Sequence, residues 1–237
     1  MIGPRFFDDP RPCAYLPNRI ERLENEIAVD LSATEYAERM DQGFRRFGRI
    51  LFRPRCPFCQ ACQSLRVDVA RFRPNRSQKR CWKRNRDSVR CEIGAPSVAP
   101  AILDLSDRFH HQRSREKGWG IHQGDAASHH FSFVDNPFKA SEWRYYLGDE
   151  LVGVGYVDDL PSGLSAVYFS HDPRLRERSL GTYNVLNLID ETRSRELPHL
   201  YLGYYVEGCE SLEYKARFRP NQILSEDGRW QTFRGLE

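Results

Sequence analysis

At 237 residues and 40% hydrophobic content, the chain is long enough for one large domain or two small ones sharing an interface. It has no run of about 18 apolar residues, and its start, Met1 to Asp9, lacks the apolar stretch of a signal peptide, so it reads as cytoplasmic with no membrane partner. Seven cysteines are too few, and odd in number, for a disulfide scaffold, and the net charge of +3 conceals a local excess between Arg71 and Arg90, where nine arginines and lysines face Asp87 alone.

In chain order, Pro4, Pro10, Pro12 and Pro17 exclude long helices from the first 31 residues, which are expected to form an irregular layer of loops and short strands. Ser32 and Glu35 are spaced as a capping box, opening a helix that stops near Gly43. Residues 49–53 and 65–69 read as strands on either side of a cysteine-rich turn. Residues 77–84 lack Pro and Gly and read as a helix carrying the cationic excess; another helix is expected over 100–117. Residues 143–147, 151–157 and 164–169 form three strand-like runs, the first two joined through Gly148-Asp149-Glu150. A helix over 179–196 repeats Tyr183, Leu186 and Ile189 on one face, and a strand over 199–206 follows. The order strand, strand, strand, helix, strand resembles the core of the acetyl-CoA-dependent N-acetyltransferases, called GNAT. The expected class is therefore α+β: an irregular cysteine-containing region over 1–98, and a GNAT-like mixed sheet over 99–237.

Three features carry chemistry. Arg76, Lys79, Arg80, Lys83 and Arg84, with Phe72 and Trp82 interleaved, suit a polyanion with exposed bases. The turn Ser179-Leu180-Gly181-Thr182 opens a helix, where free backbone N–H groups and the positive end of the dipole form an anion site, unless Ser179 is simply an N-cap. Cys56, Cys59 and Cys62 recur at two-residue intervals, with Cys13 upstream as a possible fourth. That spacing suits a zinc or iron–sulfur site, the alternative being a group of reduced thiols beside the active site. Cys81, Cys91 and Cys209 stand singly, and His110-His111 and His129-His130 are pairs whose members point apart. GxSxG, Walker A, HExxH and GxGxxG are all missing, which removes support for hydrolase, NTPase and dinucleotide-enzyme readings.

Seven stretches taken together resemble the family that moves arginine or leucine from tRNA to protein N-termini. They are Cys13 to Arg19, Gly43 to Gly48, Phe52 to Cys62, Phe72 to Arg80, Ser179 to Tyr183, Tyr201 to Val206 and Tyr214 to Pro220. The eukaryotic arginyltransferases have a second cysteine where this chain has Leu16, and an adjacent pair where it has three spaced cysteines. The bacterial branch is closer. The resemblance implies transfer of leucine from Leu-tRNA to an N-terminal Asp or Glu, which marks the acceptor for degradation, with arginine transfer as the alternative. An acyl-CoA N-acetyltransferase would explain only the C-terminal half, and a non-catalytic RNA-binding module only the N-terminal half.

Such a reaction needs no cofactor. The donor ester is already activated, and the acceptor α-amine, with an ordinary pKa of about 7.7 to 8.0, has a free fraction at neutral pH. Positioning then supplies most of the catalysis, with a proton acceptor and an oxyanion donor completing the site. Tyr204, Tyr214 and Lys215 are the catalytic candidates. Arg45, Arg46 or Arg76 would read the acidic acceptor, and the tRNA would lie on Arg76, Lys79, Arg80, Lys83, Arg84, Ser179 and Gly181.

Overall fold

The structure, a computed structural model, describes residues 2–117 and 124–233. In chain order it contains β1 (Ile2–Phe7), β2 (Arg11–Pro12), β3 (Ile20–Glu21), β4 (Leu23–Ala28), α1 (Ala33–Met40), β5 (Arg45–Phe47), β6 (Ile50–Pro54), β7 (Gln63–Asp68), α2 (Arg76–Asn85) and β8 (Val89–Gly94). There follow α3 (Pro100–Lys117), α4 (Ala126–His129), β9 (Ala140–Leu147), β10 (Glu150–Leu160), β11 (Gly163–His171), α5 (Leu180–Ser194), β12 (His199–Tyr205), α6 (Glu210–Glu213), β13 (Asn221–Leu224) and β14 (Trp230–Thr232).

An eight-stranded mixed sheet in the order β14-β13-β7-β12-β11-β10-β9-β8 forms the centre. Its one parallel ladder among the described residues joins β11 to β12, across the helix connection that the strand–helix–strand pattern predicts. α5 buries Tyr183, Leu186, Leu188 and Ile189 on one face of this sheet, against Leu65, Val67, Val152 and Leu200. Each fully buried aliphatic side chain contributes about 1.5–3 kcal/mol. The opposite face is covered by α3, through Ile102 and Leu105, and by α1, through Tyr36 and Met40.

The N-terminal layer is more regular than the prolines imply. β1, β4, β6 and β5 form a second, antiparallel sheet. The strand pattern of β4 is concealed because its buried positions include Glu24, Asn25 and Glu26, the two carboxylates being paired with Arg5, Arg39, Arg53 and Arg55. The expected capping box of α1 is present, with Glu35 N donating to Ser32 Oγ and Ser32 N donating to the Glu35 carboxylate. The division at residue 98 corresponds to no structural break, since β7 and β8 are strands of the central sheet.

β11 and β12 pair only over Gly163–Ser165 and His199–Tyr201. A Cβ at Gly163 would collide with the His199 carbonyl, so only glycine permits the approach that starts this ladder. Beyond it the strands diverge. β12 runs on to Tyr204 and Tyr205 paired with β7 alone.

Candidate active site

α2 organises the first part of the site. Asn75 caps it, with Gln78 N donating to Asn75 Oδ1 at 2.9 Å. Its inner side buries Gln78, Cys81 and Asn85, and these three residues fasten it to two other elements. Gln78 Nε2 donates to Arg217 O at 3.1 Å, on the turn that carries Tyr214 and Lys215. Cys81 Sγ donates to Ser179 O at 3.5 Å, and Asn85 Nδ2 to Arg178 O at 2.8 Å, at the start of α5. On its outer side Arg76, Lys79, Arg80, Lys83 and Arg84 are exposed, and no carboxylate pairs with any of them among the described residues. Ser179 is not the N-cap that its hydroxyl suggests. It adopts φ 52°, ψ 48° and its side chain makes no capping bond, while a Cβ at Gly181 would meet nothing within 4 Å. The start of α5 therefore lies open beside the cationic helix.

The second part lies at the diverging end of β12. Lys215 Nζ donates to Tyr204 O at 2.8 Å, beside Gly203 at φ +76°. Burial and then the charge of Arg45 push the Lys215 ammonium down to about 7, so a neutral amine is present at physiological pH. Arg45 lies over the Tyr204 ring, 5.5 Å from its centroid. Tyr204 is buried, its phenol pushed up by desolvation, and its hydroxyl donates to Gly43 O at 2.7 Å and Phe52 O at 3.3 Å. Tyr214 stands apart from this group. It packs edge-on against Phe218 at 6.5 Å, and its hydroxyl makes no hydrogen bond among the described residues.

Arg46 does not share the situation of Arg45. Its guanidinium is buried against the equally buried Asp158, with Nε donating to Oδ2 at 2.9 Å, and Nη1 bonds Asn136 and Gly48 O. An incoming carboxylate would have to displace Asp158, so Arg46 ties β5 to β10 and is not available to an acceptor.

Cys13, Cys56, Cys59 and Cys62 line one open cleft of about 670 Å³ together with Tyr15, Leu16 and Tyr204. Burial, followed by the mutual repulsion of these thiols, pushes Cys62 up to about 12, and burial also raises Cys56. Among the described residues, however, no group of three or more His, Cys, Asp or Glu side chains is arranged to hold a metal ion. Burial therefore favours the protonated thiol at Cys56 and Cys62. Phe58, at φ 58° in the turn between Cys56 and Cys59, is fully exposed.

The far wall of the cleft escaped sequence reasoning. It is formed by Leu224, Ser225, Glu226, Asp227 and Gly228, with Asp41 and Gln42 nearby. The run Ser225-Glu226-Asp227-Gly228, between the apolar pair Ile223-Leu224 and the pair Arg229-Trp230, is a hairpin-turn signal that would have placed it. Asp158 was also missed, although an acidic pair interrupting the apolar run of β10 marks a buried charge. The histidine pairs supply structural bonds: His129 Nε2 meets Tyr156 Oη at 2.8 Å, and His110 Nε2 meets Tyr168 Oη at 2.7 Å.

Comparison with known proteins agrees with these features. The family described as arginine-tRNA-protein transferase matches in both parts, the N terminus over residues 11–80 and the C terminus over residues 102–225. An aspartate/glutamate leucyltransferase of Nitrosococcus oceani is 35% identical over 230 residues, covering 95% of this chain and 94% of that protein. One from Chromobacterium violaceum is 36% identical, covering 94% and 91%. Among solved structures, the C-terminal domain of a putative lysylphosphatidylglycerol synthetase from Agrobacterium fabrum superposes with a TM-score of 0.50 at 13% identity, over 83% of this chain and 62% of that one, a likeness of fold alone. With both halves of the family pattern matched in order and relatives aligned from end to end, the chain belongs to the arginine-tRNA-protein transferase family.

Proposed function

We propose that the protein transfers leucine from Leu-tRNA to the α-amine of proteins beginning with Asp or Glu, in the cytoplasm, marking them for degradation. One observation carries this reading: the inner side of α2 is bonded to the Lys215 turn and to the start of α5, while its outer side presents five unpaired cations. Phosphates held by Arg76, Lys79, Arg80, Lys83 and Arg84, and by the N–H group at Gly181 beside Ser179, would direct the aminoacyl end of a tRNA toward the diverging end of β12.

There the acceptor nitrogen attacks the ester carbonyl carbon. The C–N bond forms, the C–O bond to the ribose breaks, and the nitrogen gives its proton to the neutral Lys215 amine. The ribose oxygen is reprotonated by the ammonium so formed on Lys215, or from water. Holding the reactants in place supplies up to about 7–11 kcal/mol, which suits a site without a nucleophilic triad. Tyr204 orients Lys215 through its carbonyl, and of the three arginines considered for the acceptor, Arg45 alone is buried and not engaged by a carboxylate, Arg46 being paired with Asp158 and Arg76 exposed on α2.

Transfer of radiolabelled leucine or arginine, supplied as charged tRNA, to peptides beginning with Asp, Glu, Lys or Ala tests the reading. Leucine on the Asp and Glu peptides alone supports it. Arginine on those peptides would keep the chemistry and overturn the donor, and absence of label on every peptide would overturn both.

A further inference from the structure

Arg45 makes fewer bonds than a buried cation requires. It is only 7% exposed; Nη1 donates to Phe44 O at 2.5 Å and, at the limit of bonding, to Met40 O at 3.5 Å. Nε and Nη2 are sealed from solvent with no hydrogen-bond partner, and no carboxylate pairs with the guanidinium among the described residues. These two donors lie along one edge of the guanidinium, the edge whose parallel N–H groups match the two oxygens of a carboxylate. Buried polar groups are seldom left in this state, and an unpaired buried charge is costly. Such an edge fits an anion that arrives and leaves.

The access route is visible. The Tyr204 ring lies over the guanidinium, and Tyr204 and Gly43 both line the open cleft. The phenol is tethered there by its bonds to Gly43 O and Phe52 O. A short acidic side chain in the cleft would reach the guanidinium only with movement of this ring. The groups facing Lys215 are Arg45 from β5, Tyr204 from β12 and Cys209 ahead of α6. Arg45 is the only cation among them, and its charge is not compensated.

We infer that Arg45 seats the side-chain carboxylate of an N-terminal Asp or Glu and, by pairing with it, turns Lys215 from the neighbour of a lone cation into the neighbour of an ion pair. The inference rests on the leucyl-transfer reading and extends it. The acceptor's own side chain cancels the charge that opposes protonation of Lys215, so the amine becomes a better acceptor for the α-amine proton when an acidic residue occupies the cleft. Arg45 acts on proton transfer through Lys215 and is a positioning residue for that step.

The test is leucine transfer from Leu-tRNA to matched peptides beginning with Asp or Asn, with pH profiles, in the full-length wild type, Arg45→Met and Arg45→Lys. The wild type should favour Asp by about 10- to 100-fold in kcat/KM, the range expected for a charge-assisted two-point contact. Both variants should bring the two peptides to within about threefold of each other. The rising limb of kcat/KM against pH should move to higher pH in Arg45→Met, where the neighbouring charge is gone, and stay near the wild-type position in Arg45→Lys, where it remains. A purely structural role would lower all rates without this split. In the wild type, the rising limb of kcat should lie at higher pH with the Asp peptide than with the Asn peptide. Full Asp preference in either variant, or coincident limbs where separation is expected, overturns the inference while leaving the transfer reading intact. If Arg45→Met does not fold, judged by its Tm, the Arg45→Lys preference and the wild-type limb separation decide. Wild-type protein that labels neither peptide overturns the transfer reading itself.

Discussion

Replacing Lys79, Arg80, Lys83 and Arg84 together by glutamine should alter the salt dependence of tRNA binding more than its existence. All four are exposed on α2, away from Gln78, Cys81 and Asn85, so the helix should stay docked and the Tm should change little. None has a carboxylate partner among the described residues, so each is free to neutralise a phosphate. Each phosphate contact contributes about 0.9 to the slope of log K against log salt on a duplex, so four lost contacts flatten that slope by about 3.6. Between 50 and 200 mM salt the wild type should then lose about 150-fold more affinity than the variant. Fluorescence anisotropy of labelled leucine tRNA across a salt series measures both slopes. Parallel lines would show that the acceptor stem does not lie on this face.

Arg46→Ala should cost about 3–5 kcal/mol in urea unfolding, because it leaves Asp158 buried without its partner, whereas the double replacement Arg46→Met with Asp158→Leu should cost much less; equal losses would contradict the account of this pair. Lys215→Met should remove a pH-dependent component of stability. The folded ammonium loses its proton near 7 and the unfolded one near its ordinary value of about 10.4, so the unfolded chain binds more protons between those limits and wild-type stability gains there as pH rises. Guanidinium unfolding at pH 7 and pH 9 should show this increment in the wild type and not in the variant. With its thiol pushed up to about 12, Cys62 should react with iodoacetamide at pH 8 about a thousandfold more slowly than an ordinary cysteine, with or without prior chelator treatment. Mass-spectrometric mapping showing rapid alkylation, or protection that a chelator relieves, would contradict the protonated-thiol description.

Local rules made much of this fold readable. The alternation in β9, β10 and β11, the three- and four-residue spacing in α5 and the Ser32 capping box each depend on neighbours in sequence, and each element formed where expected. The N-terminal sheet was not readable, because β4 buries carboxylates whose partners come from β1, α1 and β6, and no periodicity in β4 reveals them. The site shows the same division. The cations of α2, and Lys215 as a candidate, could be named from residue type, but the difference between Arg45 and Arg46 could not. Adjacent residues on a strand point to opposite sides, and only the long-range approach of Asp158 determines which guanidinium is occupied.

The insertion of β7 between β12 and β13 has a consequence for synthesis. Both neighbours of this strand are encoded more than halfway along the chain, and the second lies roughly 150 residues beyond it. At about 5–20 residues per second, a ribosome needs on the order of ten to thirty seconds to deliver them. Throughout that interval Leu65, Val67 and Val69 have no edge to join, although they end fully buried. The nascent N-terminal half is therefore a natural client for chaperones that hold extended apolar segments, and a chain truncated before residue 221 should be cleared by proteolysis instead of accumulating as a stable fragment.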